Sequence, residues 1–213
     1  MKKLFLVPLL ALLVACQPSK ITRHWTAKNL QPKQYKQLLV LAIASDTDNI
    51  LQSKMEDHLA EDLRNMGYYA IAANTIYPAG TFVKGDTNRA IAAITGRNFD
   101  AVFTLVLLDK QKEKFYVPGR ITDSLRAGQN SRFEQYMNSV NDRIYTPGYY
   151  GEQTRFTWEC NFYEGTSKQI IYSARTRTFD YASTTILAHT FGQLLSYDLV
   201  KRKILTKPPV ENY

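Results

Sequence analysis

Hydrophobic positions along the first half of the chain follow two patterns, an unbroken run and a helical repeat. Residues 38–44 are all apolar, which is typical of a strand buried on both faces of a sheet. Residues 48–66 carry one apolar stripe at spacings of three and four, formed by Leu51, Met55, Leu59, Leu63 and Met66. That spacing predicts an amphipathic helix, and Gly67 suits the left-handed position after its end.

The same two patterns recur further along the chain. Residues 68–76 and 101–108 predict two more strands, the second of them prolonged through residue 117. Residues 88–96, which lie between them, have the apolar side of a short helix. The order strand, helix, strand, helix, strand is typical of βαβ units.

The second half of the chain predicts a hairpin and a final helix. Residues 154–163 and 169–178 predict two strands, and the turn between them at Glu164 and Gly165 indicates a β-hairpin. From Ser183 onward a broad apolar face returns at helical spacing.

These elements predict a single α/β domain over residues 37–207, with a mixed sheet of about five strands flanked by helices. Its order is βαβαβ, followed by the β-hairpin and a C-terminal helix. Residues 16–36 are expected to be the tether, and residues 208–213 a short tail. Residues 118–153 show no period and are expected to form a long loop.

The long loop carries tyrosines that we single out as a candidate partner-binding surface. They are Tyr136, Tyr145, Tyr149 and Tyr150. Tyrosine offers a large contact area at a small cost in conformational entropy and is enriched at binding surfaces. The alternative is that Tyr149 and Tyr150 pack down on the domain and hold the loop in place. The sequence leaves both hypotheses open.

Residues 1–15 predict a secretory signal peptide. Lys2 and Lys3 precede an apolar run that ends at Cys16. A membrane-spanning helix needs roughly 20 apolar residues, whereas this run is shorter and contains Pro8. The segment is therefore expected to direct export and then to be removed. If Cys16 has no special role in processing, the alternatives are an ordinary signal peptide or a buried apolar segment with a chance cysteine.

The end of this segment, Leu13, Val14, Ala15 and Cys16, resembles the lipobox of bacterial lipoproteins. The resemblance implies cleavage between Ala15 and Cys16 and attachment of lipid to the Cys16 sulfur, which would anchor the protein to a membrane. Gln17 stands where proteobacterial lipoproteins of the inner membrane tend to carry Asp. The resemblance therefore implies the periplasmic face of the outer membrane.

Charge and cysteine content narrow the possible functions. The formal net charge is +8, and loss of Lys2 and Lys3 leaves 25 basic against 19 acidic residues, a net +6. Such an excess of positive charge favours binding to anionic lipid headgroups or to an acidic partner, or it serves solubility alone. We expect no binding to nucleic acid, because the chain is predicted to be exported. The chain has two cysteines, and if Cys16 carries lipid, Cys160 has no cysteine with which to form a disulfide. We expect Cys160 to be a small core residue.

No motif in the sequence assembles a catalytic, metal or cofactor site, so we expect a protein that is not an enzyme. The run from Asp46 to Asp48 resembles the start of a calcium loop, but Ile50 and Leu51 occupy positions that need a ligand and a glycine. Capping of the following helix by Asp48 or Asn49 is the better interpretation.

The charged run of the first helix predicts no metal site. Residues 56–62 place four carboxylates around His58, whereas a zinc-protease helix needs two histidines four residues apart. We interpret these charges as a solvated face. His24 and His189 are isolated in sequence, and Ser183 is expected to cap the last helix.

Arg175 and Arg177 alternate with Ser173 on one face of a predicted strand. Two cations side by side suit a carboxylate or phosphate ligand. The alternative is that they lie on the solvated face of a sheet.

Beyond the lipobox, the chain resembles small uncharacterised bacterial envelope lipoproteins. The resemblance rests on Trp25 near the tether and on residues 39–43, 55–59 and 66–70. Their α/β domain is similar to penicillin-binding-protein activators, the curli-secretion lipoprotein and the amino-terminal domain of the Tol-system propeller protein. This implies a non-catalytic binding and recruitment module for an envelope protein complex. The alternatives are a carrier or chaperone of lipid or another small apolar ligand, and a hydrolase built from scattered Ser, Asp and His.

Overall fold

The computed structural model describes residues 19–78, 81–82, 87–117, 132–134, 137, 147–179 and 183–206. The strands are β1 (Ser19–Thr26), β2 (Leu38–Ile43), β3 (Ala70–Ala72), β4 (Ala101–Val117), β5 (Tyr149–Glu164) and β6 (Ile170–Phe179). The helices are α1 (Asn49–Asn65), α2 (Ala73–Ile76), α3 (Thr87–Thr95) and α4 (Thr184–Lys201). The signal segment 1–15, Cys16, the tail 208–213 and most of the loop 118–153 lie outside the described residues.

Six strands form one open sheet in the order β1, β6, β5, β4, β2, β3. β2 pairs in parallel with both β3 and β4, as βαβ connections require. β6 pairs antiparallel with β5 and with β1. The predicted α/β fold with a mixed sheet flanked by helices is confirmed, with one strand more than the five expected.

The additional strand is β1, which lies in the segment expected to be a tether. Its two large apolar residues, Ile21 and Trp25, stand four positions apart among polar ones, so no alternation reveals a strand. β1 forms at the sheet edge because β6 supplies its backbone partners from Thr178 to Tyr172. Tertiary pairing rather than local pattern makes this strand.

The strand predicted over residues 68–76 is much shorter than expected. β3 ends at Ala72, and α2 turns the chain immediately afterwards. The Glu56 carboxylate holds this turn, because its Oε2 accepts the Asn74 N–H at 2.7 Å while its Oε1 accepts the Ala42 N–H at 2.8 Å. A side chain from α1, distant in sequence, thus helps to end the strand.

The other predicted elements are confirmed, with small changes at their ends and one larger one. β5 begins at Tyr149, five residues before the expected Thr154, so the prediction of a loop is wrong for residues 149–153. β4 extends through Val117, as the prolonged pattern indicated. Gly67 has a φ of +84°, the left-handed conformation expected after α1. Ser183 caps α4 by accepting the Ile186 N–H at 3.2 Å.

The main core fills one face of the sheet. Apolar side chains of β2, β4, β5 and β6 pack there against the stripes of α1 and α4. The largest fully buried aromatic side chains are Trp158, Tyr172, Phe103, Phe162 and Phe191. A smaller cluster covers the opposite face at Leu39 and Leu41 of β2, which alternate with the core residues of that strand. The same opposite face of β1 and β6 carries exposed charged residues.

The chain divides into two compact units. The first combines the described residues of Met1–Lys110 and Arg155–Tyr213 and contains the core. The second is Gln111–Thr154 and contains the distal part of β4 and the first residues of β5. Each unit contributes one of the two exposed surfaces that follow.

Candidate functional site

The second unit exposes a set of aromatic side chains on its two strand segments. They are Phe115 and Tyr116 of β4, and Tyr149 and Tyr150 of β5, which together we call the aromatic surface. Because successive side chains of a strand alternate between faces, Tyr116 and Tyr150 lie on one face of the strand pair. Phe115 and Tyr149 lie on the other face. Tyr149 is 65% exposed and Tyr150 is 72% exposed. The rings of Tyr116 and Tyr150 lie 5.3 Å apart at an interplanar angle of 56°, a tilted contact that aromatic pairs favour.

Two glycines allow the β4 rings to lie directly over β5. A Cβ at Gly148 would overlap the Tyr116 ring, and a Cβ at Gly151 would overlap the Phe115 ring. A larger residue at either position would push the ring away. The glycines therefore leave room for two aromatic side chains that remain exposed to solvent.

The aromatic surface has charged residues beside it. Lys114 and Glu152 form an ion pair at 3.7 Å, and both side chains are mostly exposed. Such a pair contributes only about 0–1 kcal/mol to stability, so its role is that of a polar rim. Exposed apolar patches with polar rims are typical of sites that contact proteins or membranes.

Two of the four predicted binding tyrosines belong to this surface. Tyr149 and Tyr150 are exposed, and the Tyr150 ring contacts the Tyr116 ring, so partner binding by these tyrosines stays a prediction. Tyr136 and Tyr145 lie outside the described residues. The sequence did not single out Phe115 and Tyr116, because only the pairing of the strands shows that Gly148 and Gly151 face their rings.

A second surface lies in the first unit, where β1 and β6 place cations opposite each other. In their register Lys20 pairs with Arg177, and Arg23 pairs with Arg175. Directly paired residues of antiparallel strands share a face, with Cβ atoms about 4.5–5.5 Å apart. All four side chains are exposed, and we call them the basic face.

Among the residues paired with the basic face, one carboxylate offsets its charge. Glu159 of β5 lies opposite Arg175 and accepts a hydrogen bond from Arg175 Nη2 at 3.4 Å. Arg177 lies opposite Thr157, which carries no charge. The sequence singled out the two arginines of β6, while their basic partners lay hidden in the expected tether.

The carboxylates of α1 do not all lie on a solvated face, and that interpretation is wrong for Glu56. Burial raises the pKa of Glu56 to about 7, against the opposing effect of the two backbone N–H groups that donate to it.

Further along α1, the centroid of the His58 ring lies 5.8 Å from that of the His189 ring of α4. Asp62 has a buried Oδ2 that accepts no hydrogen bond from the described residues. In the described ranges, no three metal-ligating side chains converge.

Asp48 stands at the N-cap position of α1, as predicted, but its side chain binds a lysine and makes no capping hydrogen bond. Its Oδ1 accepts a hydrogen bond from Lys110 Nζ at 2.5 Å, and its Oδ2 accepts one from Ser45 Oγ at 2.8 Å. Burial alone would raise the pKa of Asp48, but these donors hold it below its usual value. The carboxylate thus joins the start of α1 to β4.

Cys160 is fully buried in β5, as its alternating position predicted. Burial raises the pKa of its thiol, so the nucleophilic thiolate is suppressed. Beside it in β5, the Trp158 ring packs against the Phe191 ring of α4 with centroids 5.8 Å apart. These rings occupy the space between sheet and helix, and the carrier hypothesis gains no support there.

Among the described residues, no helix combines the length and apolar character needed to cross a bilayer. No family model matches this chain, and no curated protein matches it.

Several solved structures resemble the chain. It is similar to the PelC dodecamer from Paraburkholderia phytofirmans at 11% identity, over 84% of this chain and 95% of that one, with a TM-score of 0.43. The minor lipoprotein from Acinetobacter baumannii matches at 11% identity, 80% and 97% coverage and a TM-score of 0.36. Lipoprotein GNA1162 from Neisseria meningitidis matches at 13% identity, 78% and 99% coverage and a TM-score of 0.36.

Identities this low, with TM-scores below 0.5, leave the function to be inferred from the residues of this chain. The likeness to penicillin-binding-protein activators, the curli-secretion lipoprotein and the Tol-system propeller protein rests on sequence resemblance alone.

Proposed function

We propose that this chain is a membrane-anchored lipoprotein of the bacterial cell envelope and a non-catalytic module that recruits an envelope protein. Lipid on Cys16 would hold it at the periplasmic face of the outer membrane. The aromatic surface would contact the partner. The observation that carries the proposal is the exposure of four aromatic side chains on two paired strand segments.

The geometry of the aromatic surface suits protein binding. A tyrosine ring buries a large area when a partner covers it, and its hydroxyl can still donate or accept a hydrogen bond. The Tyr116 ring contacts the Tyr150 ring before any partner arrives. Gly148 and Gly151 leave room for the β4 rings. Side chains that are already ordered lose less conformational entropy on association, which favours affinity.

The lipid anchor rests on the sequence that ends at Cys16. A cationic start, a short apolar run, a small residue at Ala15 and the cysteine occur in the order that export and lipidation require. Restriction to a membrane surface also raises the effective concentration of the module near a membrane partner.

The test is affinity capture from crosslinked, detergent-solubilised envelopes with the full chain and a Tyr149→Ala/Tyr150→Ala variant. Each central interface tyrosine typically contributes more than 1 kcal/mol, so we expect the double variant to bind its partner at least about 30-fold more weakly. Quantitative mass spectrometry of the captured proteins measures the loss.

The matched control is Tyr197→Ala, which removes a tyrosine that is 70% exposed on α4. One envelope protein captured by the full chain and by the control, but lost with the double variant, is the expected result. Equal capture by all three chains would show that the aromatic surface does not bind the partner. Unchanged thermal unfolding of the double variant excludes misfolding as the cause.

A further inference from the structure

The basic face has a position and a charge that fit a second contact, with the membrane itself. We infer that Lys20, Arg23, Arg175 and Arg177 dock onto anionic phospholipid headgroups beside the lipid anchor. This inference rests on the proposed lipidation of Cys16. It sets the orientation of the anchored domain, which the aromatic surface alone does not determine.

The register of β1 and β6 is the first observation. It places two like-charge pairs in succession, Lys20 opposite Arg177 and Arg23 opposite Arg175. Like charges directly opposite on paired strands destabilise the folded state. Anionic groups that approach this face relieve that repulsion, and guanidinium groups bind phosphate through paired hydrogen bonds.

The distance to the anchor is the second observation. Cys16 precedes Ser19, the first residue of β1, by three positions, and three extended residues span at most about 10 Å. The Cα atom of Ser19 must therefore lie within about 10 Å of the Cα atom of Cys16. The Debye length at physiological ionic strength is about 8 Å, so the basic face interacts with headgroups only when β1 lies against the membrane, and a tether this short permits that position.

Trp25 provides the third observation. It pairs with Ser173, two positions from the Arg23–Arg175 pair on each strand, and so shares the face of these arginines. Its side chain is 51% exposed. Tryptophan is enriched at membrane interfaces, where its ring contacts lipid and its N–H stays hydrated. The helices α1 and α4 cover the other face of the sheet. The smaller apolar cluster on the face of these arginines lies at β2, α2 and β4, and the four basic side chains of β1 and β6 are exposed.

The test measures binding of the mature chain from residue 16, carrying Cys16→Ser, to vesicles with and without 30% phosphatidylglycerol in phosphatidylcholine. We compare it with Lys20→Gln/Arg23→Gln/Arg177→Gln. Arg175 stays because Glu159 contacts it. Each cation near an anionic surface raises partitioning about fivefold, so the triple variant is expected to bind anionic vesicles about 100-fold more weakly.

The matched control is Lys54→Gln/Lys201→Gln/Lys203→Gln, which removes the same charge from α1, from the end of α4 and from the turn after it. We expect this control to keep most of its vesicle binding. Thermal unfolding adds a second readout. The basic-face variant should unfold at an unchanged or higher temperature, because it loses like-charge repulsion. If these residues had a purely structural role, their substitution would lower the unfolding temperature.

A last measurement uses the lipidated full chain, whose Cys16 modification is verified by mass spectrometry. Brominated phosphatidylglycerol in the vesicles should quench Trp25 fluorescence, and the triple variant should reduce that quenching. Equal vesicle binding of the triple variant and its control, or equal quenching of Trp25 by neutral and anionic brominated lipid, would overturn the inference. Neither result affects partner capture by the aromatic surface, so the two proposals fail separately.

Discussion

At the scale of single residues, Glu56 makes the stability of the fold depend on pH. Burial raises its pKa from 4.5 to about 7, so between these values the folded chain keeps a proton that the unfolded chain releases. The stability contributed by this carboxyl is full below pH 4.5 and is lost as the pH rises to about 7. We expect Glu56→Gln to lack this fall, as measured by urea denaturation at intervals across the window.

The matched control for Glu56 is Glu61→Gln, which neutralises an exposed acid of the same helix. Its free energy of unfolding should still fall across the window. Glu56→Gln itself should be less stable by about 1–3 kcal/mol at low pH, because its amide has one accepting oxygen where both oxygens of the protonated carboxyl face backbone N–H groups. A fall that is equally steep in all three proteins would contradict the role of Glu56.

Asp62 and Gly192 make a second residue-level prediction, across the contact of α1 with α4. A Cβ at Gly192 would overlap the Asp62 carboxylate, whose Oδ2 is already buried. We expect Gly192→Ala to be more destabilising in the natural chain than in an Asp62→Ala background. The difference should be about 1–2 kcal/mol in a double-mutant cycle followed by urea denaturation. Additive effects would show that the carboxylate moves aside freely.

At the scale of elements, β1 is expected to protect the sheet edge. It covers β6, which would otherwise present unpaired backbone groups and a row of core side chains. We expect a chain that begins at residue 27 to self-associate and to unfold at a lower temperature, whereas a chain that begins at residue 19 stays monomeric. Light scattering and thermal unfolding measure both effects. Identical behaviour of the two chains would mean that β1 is the passive tether suggested by its pattern.

The elements also show what the sequence can and cannot predict. α1, β4 and α4 were predictable because apolar residues recur at the period of each structure, and Gly67 and Ser183 mark helix ends. β1 and the early end of β3 could not be predicted, because each depends on a partner outside its own segment of the chain. The partner of β1 is β6, and the turn after β3 is held by Glu56.

At the scale of the whole molecule, only some residues of each candidate surface could be singled out from the sequence. Tyr149, Tyr150, Arg175 and Arg177 stood out through residue type and spacing alone. Their neighbours in the structure did not, because about 150 residues separate Lys20 from Arg177 and only strand register brings them together. A surface assembled by pairing distant strands leaves no local motif.

The burial of Cys160 has a practical consequence for anyone who studies this protein in an oxidising compartment. Its thiol is fully buried and its pKa is raised, so it reacts slowly with disulfides and maleimides. The other cysteine in the chain, Cys16, would be blocked by lipid. A cysteine introduced at Tyr149 would then be the one reactive thiol, and a fluorescent or photo-crosslinking label placed there would map the neighbourhood of the aromatic surface in intact envelopes.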